Sequence, residues 1–256
     1  MQKSHTHTYF LTAGECNAQG EMPVSLLTER VIEVATEHAN SLGIGYANLQ
    51  PRGIGWVLSR VSISMRQWPG INSTYSLTTW IEGWTRFYSD RCFIVSDADG
   101  NTIGYVRTVW VAIDIKNRTV AQLEGIADDA MVNSDLVCDV AKQRKMPPVA
   151  LDTATNVMDY AVRYADLDFN RHVNSVRYIE HILNLWPLEF FDRYTPDVFE
   201  IAYVHECLFR QKLTIAARES VDADGHPAAN VDMIRDGERV ITARIAFTER
   251  EKTITT

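Results

Sequence analysis

From Pro23 to about Leu42, apolar side chains return every three or four positions, at Leu27, Val31, Val34, Ala35 and Leu42. That spacing predicts a helix with one buried face. Pro23 suits its first turn and Gly43 its end. The period then drops to two. Arg60-Val61-Ser62-Ile63-Ser64-Met65 alternates polar and apolar, the mark of a strand buried on one side. Ser73 to Trp84 and Arg86 to Ser96, rich in Thr, Tyr, Trp, Ile and Phe, predict two more strands. Asp97-Ala98-Asp99-Gly100-Asn101 is a turn signal, and Thr102 to Ile115 returns as a long strand.

The second half repeats this order. Val157 to Tyr164 predicts a short strand. Val173 to about Trp186 predicts a helix, with Val176, Ile179, Leu183 and Trp186 on one face and Pro187 at its end. Strands follow at Phe199 to Cys207, Leu213 to Val221, Ala228 to Ile234 and Val240 to Thr248, with turns at Asp224-Gly225 and Asp236-Gly237. Between the halves, Asp128 to Thr153 has weak periodicity and contains Pro147-Pro148. It is long for a simple loop and predicts a linker, with a short helix around Leu136 to Lys142. A helix and several antiparallel strands, given twice, describe an α+β chain in which a sheet wraps a helix in each half.

Composition narrows the classes. The 256 residues are 46% hydrophobic and 23% charged, ordinary for a globular chain. A net charge of -8 argues against broad nucleic-acid binding. No apolar run approaches the roughly 20 residues that span a bilayer. Met1-Gln2-Lys3-Ser4-His5-Thr6-His7 is not followed by a secretory apolar core, so a cytoplasmic location is expected and the Asn72 and Asn117 glycosylation triplets read as chance matches. Cys16, Cys92, Cys138 and Cys207 are far apart in sequence and form no CxxC pair, which suggests neither a disulfide framework nor a zinc site. His205-Glu206-Cys207 lacks the second His of an HExxH helix, so no metal is expected. There is no GxGxxG, GxxxxGK[ST] or GxSxG.

The densest chemistry lies in Ala165-Asp166-Leu167-Asp168-Phe169-Asn170-Arg171-His172-Val173-Asn174. An acid, an amide and an imidazole occupy alternate positions just ahead of an apolar helical run. This block resembles the motif of the acyl-acyl-carrier-protein thioesterases of plants and bacteria. Tyr203-Val204-His205-Glu206-Cys207 is similar to that family's downstream Glu-Cys strand. Gly55-Trp56-Val57-Leu58-Ser59-Arg60 with Trp68-Pro69 and Thr79-Trp80, and Thr108-Val109-Trp110-Val111, supply two further blocks. In order, the four span roughly Tyr9 to Arg250. Family members often carry Gln where this chain has Arg171 and a second Asn where it has Ser175.

The resemblance implies a double hotdog fold, two tandem repeats that each wrap an antiparallel sheet around a central helix. With the linker at 128–153, the resemblance implies that residues 1–127 bind the acyl chain and that 154–256 form the catalytic repeat. It implies hydrolysis of fatty acyl thioesters on acyl carrier protein, which ends chain elongation, without a cofactor. Hydrolysis of acyl-coenzyme A and non-catalytic acyl binding are the alternatives. Homodimer formation is left open.

Thioester hydrolysis needs a base for water and donors for the oxyanion. The thiolate, from a thiol of pKa about 8.5, leaves with little protonation help. Glu206, on an expected apolar strand where burial would raise its pKa, is one candidate base, and His172 is the competing one. Asn170 offers an amide donor, and Asp168 would orient Asn170 and His172. The start of the following helix would add free N–H groups. Cys207 is an alternative nucleophile, but alternation along a strand would turn it away from the face that Glu206 uses. Met65, Trp68, Tyr75, Leu77 and Trp84 are the candidate acyl-chain lining, against a reading as ordinary core. Lys142, Arg144, Lys145, Arg171 and Arg177 are candidate steering charges for an acidic carrier.

Overall fold

The computed structural model describes residues 2–222 and 224–250. The expected outer limits at residues 1 and 256 fall outside them. The chain divides into two compact units, Met1–Gln143 and Arg144–Thr256.

In the first unit, β1 (Ser4–Phe10) precedes α1 (Val24–Ser41) and the single-turn α2 (Tyr46–Leu49). Strands β2 (Ile54–Met65), β3 (Thr74–Trp84), β4 (Tyr88–Ser96) and β5 (Thr102–Asp114) follow, with a two-residue β6 (Thr119–Val120). The antiparallel order is β1-β3-β4-β5-β2, and β6 pairs with β5. Helix α1 packs on β1 and β3. Its predicted stripe is real: Leu27, Val31 and Val34 are fully buried, each such side chain contributing roughly 1.5–3 kcal/mol by leaving water. Gly43, at φ 75°, takes the left-handed conformation that ends the helix. Strand β1 carried too little apolar alternation to be expected, because its pattern is mainly His and Thr.

The helix expected around Leu136 to Lys142 does not form, and the segment is irregular. Its polar groups bond to side chains of the sheet rather than to one another. Arg107 donates to the Val140 carbonyl at 2.8 Å, and Lys142 donates to Asp90 at 2.5 Å.

The second unit contains β7 (Asn156–Ala161), α3 (Ser175–Leu183), α4 (Leu188–Arg193), β8 (Tyr194–Tyr203), β9 (Lys212–Val221), β10 (Pro227–Arg235) and β11 (Glu238–Glu249). The antiparallel order is β8-β11-β10-β9-β7. Helix α3 is shorter than its periodicity suggested. The Asn174 side chain caps it by accepting the Val176 N–H at 3.0 Å, and Val173 is drawn instead into a bond to the Cys207 carbonyl. Its buried face is centred on Val176, Ile179 and Ile182, with Leu183 only half-buried. Pro187 precedes a new helix, α4, rather than only ending the old one.

Strand β8 begins earlier and stops earlier than expected, so Glu206 and Cys207 lie beyond it in a loop. The stop has a visible cause. The Val204 and His205 N–H groups both bond to the Val240 carbonyl, at 2.9 and 3.1 Å, which ends the ladder.

Candidate active site

The motif forms a clamped turn. Asp168 Oδ1 accepts the N–H groups of Asn170 at 2.8 Å and His172 at 3.1 Å, and its own N–H donates to the His172 carbonyl at 2.8 Å. An Asp in this place competes with regular structure by bonding its own following backbone. Arg171 sits at φ 65°, a left-handed conformation that an Arg adopts only when its surroundings impose it. The bonds from Asp168 reach the main chain of Asn170 and His172, not their side chains.

Beneath the turn, Asp166 is 4% exposed and anchors three elements. It accepts the Tyr160 hydroxyl at 2.8 Å and the Arg163 N–H at 2.6 Å, and pairs with His181 Nε2 on α3 at 3.0 Å. Burial pushes its carboxyl up, yet these hydrogen bonds together hold it below the usual carboxylate range. Asp166, Tyr160 and His181 had no role in the sequence reading. The doubled acid of Asp166-Leu167-Asp168 was the one signal available.

The loop after β8 brings the distant carboxylate to the turn. His172 bridges Leu208 in antiparallel fashion, and the Val173 N–H bonds to the Cys207 carbonyl at 2.9 Å. His172 Nδ1 stands 2.9 Å from Glu206 Oε2, with side chains 23% and 44% exposed. Arg235, from β10, holds this loop by donating to the Glu206 carbonyl at 2.7 Å and to Gln211 Oε1 at 3.3 Å. Gln211 Oε1 also accepts the Leu208 N–H at 2.8 Å. Neither Arg235 nor Gln211 carried a sequence signal.

Three expectations change. Glu206 is in a loop and exposed, so a strand burying it among apolar neighbours is not its setting. The start of α3 has few N–H groups to offer, because those of Val173, Asn174, Val176 and Arg177 bond to the Cys207 carbonyl, the Asp166 carbonyl, the Asn174 side chain and the Asn174 carbonyl. Cys207 and Glu206 do occupy opposite environments, although a loop rather than strand alternation separates them. Cys207 is 0% exposed, and burial pushes its thiol up despite the nearby Tyr178 hydroxyl and Arg235. Asn170 is exposed on the turn, held there by its main chain.

Of the residues expected to line an acyl tunnel, Met65, Trp68, Tyr75 and Leu77 are buried. Trp84 is half-buried, packs against a cluster that includes Leu42, Ile44 and Ile81, and donates its indole N–H to the Asp128 carbonyl at 3.2 Å. Among the expected steering charges, Lys142 is bonded to Asp90 and Arg177 to Glu180. Arg144, Lys145 and Arg171 are exposed.

A helix laid on an antiparallel sheet, occurring twice, with a clamped Asp-Asn-His turn in the second copy, defines an α+β double hotdog protein. Known proteins make the assignment finer. Residues 2–131 match the acyl-ACP thioesterase N-terminal domain and residues 149–249 the C-terminal domain. The chain belongs to the acyl-ACP thioesterase family. An acyl-ACP thioesterase from Bacteroides thetaiotaomicron is 30% identical and superposes with a TM-score of 0.86, covering 96% of this chain and 98% of that one. The 12:0-ACP thioesterase from Umbellularia californica has the same fold, with a TM-score of 0.80 at 19% identity over 96% of this chain and 94% of that one. The Arabidopsis thaliana palmitoyl-acyl carrier protein thioesterase is 25% identical over 94% of this chain, and oleoyl-acyl carrier protein thioesterase 2 is 23% identical over 80%. The chain spans 63% and 60% of the length of these two curated relatives. Among the described residues, no helix is long and apolar enough to cross a membrane.

Proposed function

We propose that this protein hydrolyses the thioester of fatty acyl–acyl carrier protein, with the His172–Glu206 pair as its base. Family membership across both domains supports the reaction, and the 2.9 Å contact between His172 Nδ1 and Glu206 Oε2 carries the assignment of roles. A carboxylate on Nδ1 holds that proton in place and leaves the Nε2 lone pair to accept another. This is the orienting logic of a triad without its serine. Water attacks the acyl carbon while His172 takes its proton. The tetrahedral oxyanion collapses, the carbon–sulfur bond breaks, and the leaving thiolate recovers the proton from His172. Asn170, on the same turn, supplies an amide donor to the developing oxyanion. Asp168 and Asp166 position these groups rather than react.

The acyl chain is assigned to the first unit, among Met65, Trp68, Tyr75, Leu77 and Trp84. Exposed Arg144, Lys145 and Arg171 are the charges left to meet an acidic carrier. The test is a hydrolysis panel across acyl lengths on both acyl carrier protein and coenzyme A, with His172→Ala and Glu206→Gln as controls. Turnover of the carrier-linked series that both variants abolish supports the proposal. Preference for coenzyme A would move the substrate class. Tight acyl binding without turnover would leave a binding protein.

A further inference from the structure

A second polar cluster lies in the first unit, unconnected with thioester chemistry. His5 and His7 are two residues apart on β1, so their imidazoles leave the same face of the strand. Helix α1 passes that face, and Glu37 stands opposite both rings. His5 Nε2 is 2.8 Å and His7 Nδ1 3.0 Å from the same atom, Glu37 Oε2. The three candidate donor atoms all lie within 4.8 Å of one another. The side chains are 30%, 36% and 37% exposed, open enough for an ion to enter.

The rings are held rather than loose. His7 stacks on Tyr9 with centroids 4.3 Å apart, and His5 stacks on His38 at 6.3 Å. His38 is fully buried, with Nδ1 facing Arg91 at 2.8 Å and Nε2 facing the Gln2 carbonyl at 3.2 Å.

We propose that His5, His7 and Glu37 form a binding site for a divalent transition-metal ion of the zinc type, which staples β1 to α1. Two imidazoles and one carboxylate are a complete three-donor set for zinc, with water as the fourth ligand. At zinc–ligand distances of about 2.0–2.2 Å, tetrahedral donors sit roughly 3.3–3.5 Å apart. The two histidine–glutamate separations need to open by only about 0.5 Å to reach that spacing. Each imidazole must also turn a lone pair inward, which moves its proton to the other ring nitrogen. No linear motif announces this site, because Glu37 lies 30 residues from His7 in sequence. The expectation of no metal rested on such motifs alone.

The experiment is zinc titration of the chelator-stripped full chain against a chromogenic competitor, repeated with Co²⁺ to record its visible d–d absorption. His5→Gln, His7→Gln and Glu37→Gln are compared with His226→Gln, a histidine outside the cluster. One ion per chain is expected, with affinity at least about tenfold lower in each cluster variant and unchanged in His226→Gln. Zinc should raise the melting temperature of the wild type and not of the cluster variants. Zinc affinity and cobalt spectra that are the same in wild type and Glu37→Gln would overturn the proposal. Glu37→Gln, nearly isosteric and partly exposed, decides the matter if a histidine variant fails to fold.

Discussion

Replacing Glu206 with Gln should separate the imidazole base from a cysteine nucleophile. The carboxylate accepts from His172 Nδ1 at 2.9 Å and is 44% exposed, so the amide fits with little packing cost. What changes is the proton. A side-chain NH₂ turned toward Nδ1 favours the tautomer whose Nδ1 lone pair faces that amide, and Nε2 then carries the hydrogen. In the serine-protease triad an equivalent Asp-to-Asn change lowers kcat about 10⁴-fold. General-base loss spans about 10²–10⁴, which corresponds to roughly 3–5.5 kcal/mol of barrier. Cys207→Ala should act differently. Its side chain is 0% exposed, and burial holds the thiol protonated. Removing it should cost about 1 kcal/mol of stability. It should leave kcat/KM within about threefold, because a group that makes no transition-state contact contributes no barrier energy. The assay is steady-state release of carrier thiol from acyl–acyl carrier protein, with thermal melts as a folding control. A folded but inactive Cys207→Ala protein, or an acyl-cysteine trapped by mass spectrometry while Glu206→Gln turns over, would refute the reasoning.

Other expected outcomes follow from the same geometry. Asp166→Ala leaves the Tyr160 hydroxyl, the Arg163 N–H and His181 without their shared acceptor, and should cost about 3–5 kcal/mol in urea unfolding. Because the folded carboxyl of Asp166 lies below its unfolded value of about 3.9, its stabilisation is present above that pH and is lost as pH falls through the folded value. Asp166→Asn should remove that acid-side slope, and an unchanged acid titration would contradict the pairing. A Cβ at Gly104 would lie 2.9 Å from the Ser64 carbonyl and collide with Met65 Sδ, so Gly104→Ala should lower stability by about 1–3 kcal/mol. A melting temperature equal to wild type would show that β2 yields there. Arg171→Glu should raise KM for carrier-linked substrate and leave small soluble thioesters unaffected, and equal effects on both would remove Arg171 from docking.

Local pattern was enough for the long elements. Helix α1 buries one face, which writes a period of 3.6 into its side chains, while strands β3, β5, β9, β10 and β11 hold runs of adjacent buried residues and were legible from apolar and β-branched stretches between turn signals. The Asp168-Asn170-His172 block and the Glu206-Cys207 pair stood out as well, through the family resemblance and because they are polar types that core packing does not require. Tertiary structure alone decided what those residues meet. Strand β8 ends at Tyr203 because the Val204 and His205 N–H groups find the Val240 carbonyl, and that places Glu206 against His172 and buries Cys207. The Asp166–His181 pair, the Arg235 clamp and the convergence of His5 and His7 on Glu37 join residues 15 to 32 positions apart. Hydrogen bonds of that reach have no period, so they exist only once the backbone has closed the distance.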